Sequence, residues 1–486
     1  MSELTLNRPE LLEHRCFIGG EWVDGAQKFD VCNPATGAII ASVPRFGHAE
    51  VDVAITAAAA AMPAWAGQTA KQRAAILRRW HELMLANIDD LATIMTAEQG
   101  KPLAEARGEI LYAASFIEWF AEEGKRIYGD IIPSHDNTMR VVVLKQPIGI
   151  TAAITPWNFP AAMITRKAGP ALAAGCPMII KPASATPLTA LALCRLAEEA
   201  GIPKGLMSCI TGNAGEISDT FCTDMRVRKI SFTGSTEIGR QLMVNAAQNI
   251  TKLSLELGGN APFVVFDDAD LDAAVAGAMQ SKFRNAGQTC VCANRIYAQS
   301  GIHDAFVAKL TEAVHGLKLG DGTADGTTTG PLINMAAVEK IEQHIADAVA
   351  KGGTIITGGK RSELGGSFFE PTIITGASRD MIFAEDETFA PLAPIFRFDT
   401  EAEVIALAND TVFGLASYFY ARDLGKVWRV AEALEYGIVG VNTGLISTEI
   451  APFGGVKQSG LGREGSKYGI EDYLEIKYIA MGGLAA

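Results

Sequence analysis

The sequence has few cysteines for its length and no pattern that pairs them. Its eight cysteines are scattered singly apart from Cys290 and Cys292, with no CxxC repeat and no nearby histidine tract. Neither a disulfide framework nor a metal site is therefore indicated. We expect the cysteines other than this pair to be small buried hydrophobic residues, and these are Cys16, Cys32, Cys176, Cys194, Cys209 and Cys222.

An excess of basic residues and a long apolar run are also missing. The 42 Lys and Arg face 55 Asp and Glu, a formal net charge of -13, so nucleic acid is not an expected partner. The most apolar stretch, Pro160–Ile180, is interrupted by Arg166, Lys167, Pro170 and Pro177, so no membrane association is expected. The N-terminal stretch resembles neither a secretory signal nor a transit peptide, and a cytoplasmic location is expected.

What is present is a long helical region followed by alternating strands and helices. Apolar residues recur at helical spacing over Val51–Lys125, and a β-branched run at Arg140–Lys145 predicts a strand. From Ile148 and again from Gly258, short apolar strands alternate with helices, which indicates parallel sheets. The loops after Thr155, Lys181, Thr211 and Thr233 should then hold a cofactor, since ligands bind beyond the carboxyl ends of parallel strands.

Three short segments carry candidate chemistry. The strand, turn and helix around Gly234 suit a phosphate at a helix N-terminus, although a plain βα connection has the same pattern. Glu256 ends an alternating strand and is a candidate general base, or else a charge on a solvated sheet face. Cys290 follows a Gly-Gln-Thr turn and is a candidate nucleophile. The nearest histidine, His303, lies 13 residues downstream, so a Cys-His pairing has no local support.

Taken together, these segments resemble the aldehyde dehydrogenase superfamily. The strings TPWNFP, FTGSTEIG, LELGGNAP, GQTC and EDETFAP occur in the order and at the spacing typical of that family. Further strings, among them KFRNAGQTCVCANR and TRKAGPAL, are similar to its succinate-semialdehyde dehydrogenase branch.

The resemblance implies an α/β fold with two Rossmann-like parallel-sheet domains and a small β oligomerisation excursion. The cofactor domain is expected at 1–128 and 147–257, the catalytic domain at 258–467, and the oligomerisation segment at 129–146 and 468–486. The last segment alternates like a strand after a glycine-rich loop, so we expect it to pair with another chain in a homodimer or homotetramer.

The resemblance also implies the chemistry. Cys290 attacks the aldehyde to give a thiohemiacetal, hydride leaves for a nicotinamide ring, and water hydrolyses the thioester. Glu256 matches the family residue that activates this water. Asn158, with the Cys290 backbone N–H, matches the donors to the substrate oxyanion.

Other positions match the cofactor site of the family. Lys181 and Ser184 are expected at the adenosine ribose, where they favour NADP over NAD because both can donate to a 2′-phosphate. A serine helix cap and a solvated lysine are the alternative. The remaining cofactor positions implied by the resemblance are Trp157, Gly234, Ser235, Leu257 and Glu387. After Glu387 the chain has Ala390-Pro391 where the family commonly has Gly-Pro.

Three positions imply a carboxylated substrate: Arg166, Arg284 and Ser447 match those that bind the distal carboxylate in succinate-semialdehyde dehydrogenases. Surface arginines paired with nearby acids are the alternative. Cys292 is a candidate resolving thiol for a reversible disulfide with Cys290, or else a buried filler.

The expected function is oxidation of succinate semialdehyde to succinate with NADP. Glutarate semialdehyde is the rival substrate, because one methylene is worth only about 1 to 3 kcal/mol in a pocket. A CoA-acylating relative would have no need of Glu256. A non-catalytic protein that keeps the fold would have lost its nucleophile, whereas Cys290, Glu256 and Asn158 are all present.

Overall fold

The computed structural model describes residues 4–484 of the chain. The cofactor domain was predicted to start at residue 1 and the oligomerisation segment to end at residue 486. Residues 1–3 and 485–486 of these predictions therefore lie outside the described part. The thirteen helices of the described part are α1 (His48–Ala66), α2 (Ala70–Ala86), α3 (Ile88–Gln99), α4 (Leu103–Glu123), α5 (Ala162–Ala174), α6 (Pro187–Ala200), α7 (Ala214–Thr223), α8 (Thr236–Ala246), α9 (Leu271–Lys282), α10 (His303–His315), α11 (Met335–Ala350), α12 (Glu401–Asn409) and α13 (Leu424–Ala433).

Twenty strands accompany them in the same part of the chain. They are β1 (Cys16–Ile18), β2 (Glu21–Val23), β3 (Lys28–Cys32), β4 (Ile39–Pro44), β5 (Asp130–Ile132), β6 (Arg140–Pro147), β7 (Ile150–Ile154), β8 (Met178–Lys181), β9 (Met207–Cys209), β10 (Val227–Thr233), β11 (Lys252–Glu256), β12 (Ala261–Val265), β13 (Ala293–Gln299), β14 (Thr354–Thr357), β15 (Thr372–Thr375), β16 (Leu392–Phe398), β17 (Ala416–Tyr420), β18 (Ile438–Val441), β19 (Gly460–Leu461) and β20 (Leu474–Met481).

Two large sheets organise the molecule. The first has the order β19-β11-β10-β7-β8-β9-β1-β2, and its five central strands are parallel. The second has the order β14-β15-β16-β13-β12-β17-β18 and is parallel except for β14. The predicted α/β class with two parallel sheets is confirmed.

Helices cover both faces of each large sheet, because their strands are apolar on both sides. On the first sheet, α1 and α7 pack on one face while α5 and α6 pack on the other. The predicted helical region corresponds to α1 to α4, of which α2 to α4 form one apolar core with α5 and α6. No helix within residues 4–484 combines the length and apolarity that a bilayer span needs.

Smaller sheets complete the fold. The strand predicted at Arg140–Lys145 is β6, and it lies between β5 and β20 in an antiparallel sheet of three strands. The C-terminal segment thus pairs with β6 of its own chain, and the other edge of β20 has no partner among the described residues. Of the cysteines expected to be buried, Cys32 is exposed, because it lies on an outward position of the two-stranded sheet of β3 and β4.

Candidate active site

The carboxyl ends of the first sheet face the second sheet across a cavity of about 240 Å³. The three predicted catalytic residues and five of the predicted cofactor residues line it. The lining residues are Pro156, Trp157, Asn158, Met163, Thr233, Gly234, Ser235, Glu256, Leu257, Gly258, Cys290, Lys340, Glu387 and Phe389. Residues that are far apart in the chain meet here because parallel strands bring their carboxyl ends to one edge.

Cys290 lies at the end of a tightly wound loop. Asn285, Ala286 and Gly287 all have positive φ angles, of 51°, 53° and 74°. Burial raises the pKa of the Cys290 thiol to about 12, and the Arg166 guanidinium is the largest influence that lowers it. The thiol is therefore protonated at rest, and a nearby positive charge favours the thiolate that attacks a carbonyl.

Asn158 is fixed to the same loop. Its side-chain Nδ2 donates to the Gln288 carbonyl at 3.0 Å, and its Oδ1 is buried with no hydrogen bond inside the described chain. An amide carries two N–H donors, so one remains for an oxyanion in the cavity. This geometry agrees with the predicted donor role.

Glu256 is buried, with only 3% of its surface exposed, which excludes the alternative of a solvated sheet charge. It ends β11, where Gly460 of β19 pairs with it. Burial, and then the Glu464 carboxylate, raise its pKa well above the usual range, while Arg166 and Lys167 act in the opposite direction. A carboxyl of raised pKa suits a general base that works near neutral pH.

Arg166 and Lys167 lie side by side on α5 and share one carboxylate. Arg166 Nη2 lies 2.5 Å from Glu464 Oε2, and the Lys167 ammonium contacts the other oxygen of the same carboxylate. Lys167 also donates to Thr233 Oγ1 at 2.7 Å. Arg166 is therefore paired with an acid, as the alternative interpretation expected, but the pair is buried rather than on the surface. The Arg166 Nε has no hydrogen bond within residues 4–484.

Arg284 differs from Arg166 because it has no ion pair in the part of the chain that the structure describes. Its guanidinium lies over the Phe159 ring at 5.4 Å, and its buried Nε makes no hydrogen bond there. A half-buried guanidinium that makes no ion pair can bind an anion. Ser447 is half-buried on the segment after β18, and neither arginine nor Ser447 lines the cavity itself.

The residues around α8 fit a dinucleotide. A side chain at Gly234 would overlap the Phe232 ring, and the Ser235 Oγ accepts from the Ile238 N–H at 3.4 Å at the N-terminus of α8.

Lys181, at the end of β8, is 5% exposed, and its ammonium has no ion pair or hydrogen bond within residues 4–484. Burial lowers the pKa of this ammonium to about 8. Such an ammonium requires an anionic or hydroxyl partner.

Ser184 and Lys181 also decide between the two sequence interpretations. Ser184 is exposed and does not cap α6, whose N-cap residue is Thr186, so the helix-cap alternative is wrong. Lys181 is buried, so the solvated-lysine alternative is wrong too. Both side chains remain available beyond the end of β8.

Glu387 lies at the opposite wall of the cavity. Its Oε1 accepts from the Gly259 N–H at 3.3 Å, and burial raises its pKa to about 8. The loop that follows has its left-handed residue at Phe389, with φ 56°, rather than at Ala390. The alanine that replaces the common glycine therefore needs no unusual backbone conformation, and Phe389 packs edge-on against Trp157 at 5.6 Å.

Sequence analysis missed several residues around the cavity. Lys340 donates from Nζ to the Glu387 carbonyl at 2.5 Å, and Lys167 and Glu464 set the charge near Glu256. The available signal was a charge inside an otherwise apolar segment, as at Lys167 in TRKAGPAL. Cys292, in contrast, is buried and directs its thiol to the Lys282 carbonyl at 3.4 Å.

Comparison with known proteins agrees with this geometry. The model of the aldehyde dehydrogenase family matches residues 22–479 of the chain. Glutarate-semialdehyde dehydrogenase of Pseudomonas aeruginosa is 65% identical over 483 residues, which cover 99% of this chain and 100% of that protein. Succinate-semialdehyde dehydrogenase [NADP(+)] GabD of Escherichia coli is 63% identical over 481 residues, which cover 99% of this chain and 100% of that protein.

A solved structure shows the same fold. The aldehyde dehydrogenase from Brucella melitensis biovar abortus 2308 has a TM-score of 0.98 and 62% sequence identity, covering 99% of each chain. The family match spans most of the sequence, and the cavity holds the thiol, carboxylate and amide that its motifs predicted. The chain belongs to the aldehyde dehydrogenase family.

Proposed function

We propose that the protein oxidises succinate semialdehyde to succinate with NADP. The observation that carries the proposal is Arg284, a half-buried guanidinium that makes no ion pair within residues 4–484 and lies close to the loop of Cys290. An uncharged aldehyde would leave this cation without a partner, whereas a distal carboxylate would pair with it.

The chain's own residues account for the chemistry of the thiol. Cys290 gives up its proton to solvent, and its sulfur then bonds to the aldehyde carbon while the electrons of the C=O π bond move to oxygen, which forms the thiohemiacetal as an oxyanion. The negative charge on the substrate oxygen is stabilised by the second N–H of the Asn158 amide and by the Cys290 backbone N–H. Because both donors lie in a buried cavity, their effect is larger than it would be in water.

Lys181, Ser184, Gly234 and Ser235 would hold the dinucleotide, and Trp157, Leu257 and Glu387 would border it. A dinucleotide bound by these residues would supply the hydride acceptor for the substrate carbon. Glu256 then takes a proton from the water that attacks the Cys290 thioester, and the thiolate leaves as the carboxylic acid forms. NADP is favoured because Lys181 and Ser184 both donate and neither repels a 2′-phosphate, while NAD remains a usable cofactor. The Escherichia coli relative bears NADP(+) in its name.

Glutarate semialdehyde is a second candidate substrate, favoured by the Pseudomonas aeruginosa relative. The two substrates differ by one methylene, so the same guanidinium would bind either carboxylate. A kinetic panel separates them: kcat/KM for semialdehydes of two to five carbons and for butanal, each with NADP and NAD. We expect the highest value for succinate semialdehyde with NADP.

Arg284→Met tests the anion site directly. It should lower kcat/KM for succinate semialdehyde about 10²-fold, because a charged hydrogen bond to a buried carboxylate is lost. Oxidation of butanal should change by less than about twofold, as should both reactions in Arg429→Met, which removes only a surface ion pair. A highest kcat/KM for glutarate semialdehyde would select the second candidate, and a preference for butanal would refute both.

The proposal extends to assembly and location. We propose a cytoplasmic homodimer or homotetramer in which residues 129–146 and 468–486 supply the contact, supported by the edge of β20 that no described strand pairs with. The domain division at residues 128, 147, 257 and 467 is part of the same proposal. Sedimentation of the intact chain and of a variant with Pro at Ile476, an exposed residue of β20, tests the contact. An unchanged oligomer would refute it.

Cys292 is proposed as a resolving thiol. Peroxide would oxidise the Cys290 thiolate to a sulfenic acid, and the Cys292 sulfur would displace water from it to form a disulfide. The Cys292 thiol must first leave the Lys282 carbonyl. Activity lost to peroxide should return on adding a thiol in the native enzyme but not in Cys292→Ala, and equal recovery in both would refute the role.

A further inference from the structure

The corner between α3 and α4 is unusual because it buries several polar side chains. Glu98, Gln99, Lys101 and Glu109 are each at most 3% exposed. Buried charges are costly unless they are paired and hydrogen-bonded. The partners of these four side chains therefore show what the corner holds in place.

Lys101 and Glu109 form a buried ion pair next to the segment that runs from Asn158 to the start of α5. The Lys101 ammonium contacts the Glu109 carboxylate and donates to the Asn158 backbone carbonyl at 2.8 Å. The other oxygen of Glu109 accepts from the backbone N–H groups of Ala161 and Ala162, at 2.9 and 3.3 Å, where α5 begins. One ion pair thus fixes both the carbonyl of Asn158 and the start of the helix that follows it.

The Asn158 backbone carbonyl also accepts a hydrogen bond from the loop that ends at Cys290. Asn285 Nδ2 donates to the Asn158 backbone carbonyl at 3.1 Å, and Gln99 Nε2 donates to Asn285 Oδ1 at 3.0 Å. The peptide after Asn158 is therefore held between the α3–α4 corner and the loop of Cys290. Lys101 itself does not line the cavity, whereas Asn158 does, so Lys101 can act on the cavity through the Asn158 peptide that it binds.

Loss of the Lys101 ammonium would release this peptide. The Asn158 carbonyl would lose its charged donor, and Glu109 would become a buried carboxylate without its cation. Because the Asn158 amide is oriented by the backbone that carries it, its free N–H would no longer point to a fixed place in the cavity. A displacement of about 1 Å at such a group can cost about 10²-fold in rate.

We infer that Lys101 is a positioning residue for the oxyanion site: paired with Glu109, it fixes the Asn158 peptide so that the amide N–H faces the substrate oxygen. The inference rests on the role proposed above for Asn158. It extends that role to residues outside the cavity, on a segment whose sequence indicates only amphipathic helices.

The test is a pre-steady-state burst of reduced cofactor in the full-length enzyme, for Lys101→Met, Asn158→Ala and the double variant. Lys101→Met should lower the burst rate about 10²-fold, while the Kd for NADP stays within about twofold. In the Asn158→Ala background the same change should cost less than about twofold, because the group through which Lys101 acts is absent. A merely structural role would give additive losses instead.

Lys229→Met is the matched control, since Lys229 is equally buried but contacts Ser254 rather than the Asn158 peptide. It should leave the burst rate within about twofold of the native value. If Lys101→Met does not fold, Lys101→Arg and Glu109→Gln carry the same test: the first should restore most of the rate and the second should show the same non-additivity.

The outcomes separate the two proposals. A normal burst in Asn158→Ala would refute the proposed function of Asn158. A slow burst in Asn158→Ala, together with additive losses or a normal burst in Lys101→Met, would refute only the positioning role of Lys101.

Discussion

At the scale of single residues, burial controls the protonation of the titratable groups that line the cavity. Cys290, Glu256 and Glu387 all have raised pKa values because their charged forms are poorly solvated in the cavity. The arginines on the substrate side counteract this for the thiol. These three groups therefore carry little negative charge at rest, and both the proposed attack by Cys290 and the proposed thioester hydrolysis require the loss of a proton first.

Glu256 gives the first prediction, a rise of turnover with pH. Its pKa is raised, so at low pH the carboxyl keeps its proton and cannot accept one from water, and thioester hydrolysis should accelerate as that proton is lost. Glu256→Gln should lower steady-state turnover by about 10²- to 10⁴-fold and abolish the rise of turnover with pH, while a single burst of reduced cofactor remains. Stopped-flow absorbance across pH measures both. Glu118→Gln, an exposed glutamate, is the control, and steady turnover at normal rate in Glu256→Gln would contradict the role.

Lys181 gives a second prediction, on cofactor choice. Its ammonium has a pKa lowered to about 8 by burial, so it is charged below that pH and neutral above it. The preference for NADP over NAD, measured as a ratio of kcat/KM values, should therefore fall about tenfold as pH rises well past 8, since a charge-assisted hydrogen bond to the 2′-phosphate is lost. Lys181→Met should show the low ratio at every pH. A ratio independent of pH in the native enzyme would exclude this contact.

The sequence allowed the residues of the candidate site to be predicted but not the residues that support them. Cys290, Glu256 and Asn158 stand in motifs that the family shares, and all three line one cavity. The ion pair of Arg166 with Glu464 could not be predicted, because 298 positions separate the two residues and nothing in either segment indicates the partner. Such pairings depend on tertiary folding rather than on local pattern.

At the scale of elements, β19 pairs with β11, the strand that carries Glu256. This two-residue strand pairs antiparallel with the end of β11, with Gly460 opposite Glu256 and Leu461 opposite Leu255. Gly460 has φ 136°, and a side chain there would overlap the Leu255 carbonyl oxygen. Only glycine permits this close approach of the two backbones.

Gly460→Ala should therefore loosen the edge of the first sheet. We expect a loss of about 1 to 3 kcal/mol in the free energy of unfolding, because both the backbone conformation and the contact become unfavourable. Urea unfolding followed by fluorescence measures it. Gly482→Ala is the matched control, since nothing lies within 4 Å of a side chain placed there. Equal midpoints for the two variants would show that β19 adds no stability.

Elements with strong periodicity were predicted well. The strands β7, β8 and β10 and the helices α5 and α6 follow the βαβ pattern closely, because burial on two faces selects apolar strands. The α3–α4 corner was predicted only as part of the helical region Val51–Lys125. Its charged residues have the spacing of an ordinary helix surface, and only the fold shows that Glu98 accepts from the N–H groups of Leu188 and Thr189 at the start of α6.

At the scale of the whole molecule, distant parts of the chain complete the first sheet. Strands β1 and β2 near the N-terminus occupy one edge, while β19 near the C-terminus occupies the other. Short antiparallel strands of two or three residues have no sequence pattern of their own, so their pairing could not be predicted. The parallel order of the central strands could be, since alternating strands and helices permit few topologies.

Net charge gives the last prediction. The formal charge of -13 repels an anionic semialdehyde at long range, whereas the attraction by Arg284 acts at short range in a partly buried site. Salt screens exposed charges more than about 10 Å apart at 0.1 M and screens buried pairs much less. Raising sodium chloride from about 0.01 to about 0.15 M should therefore raise kcat/KM for succinate semialdehyde at saturating NADP, by a small factor. Butanal, which is uncharged, should show no such rise, and this comparison separates the substrate's charge from any effect of salt on the enzyme. A fall in kcat/KM for the semialdehyde alone would mean that screening of Arg284 outweighs the repulsion, and hence that the guanidinium is open to solvent when substrate arrives.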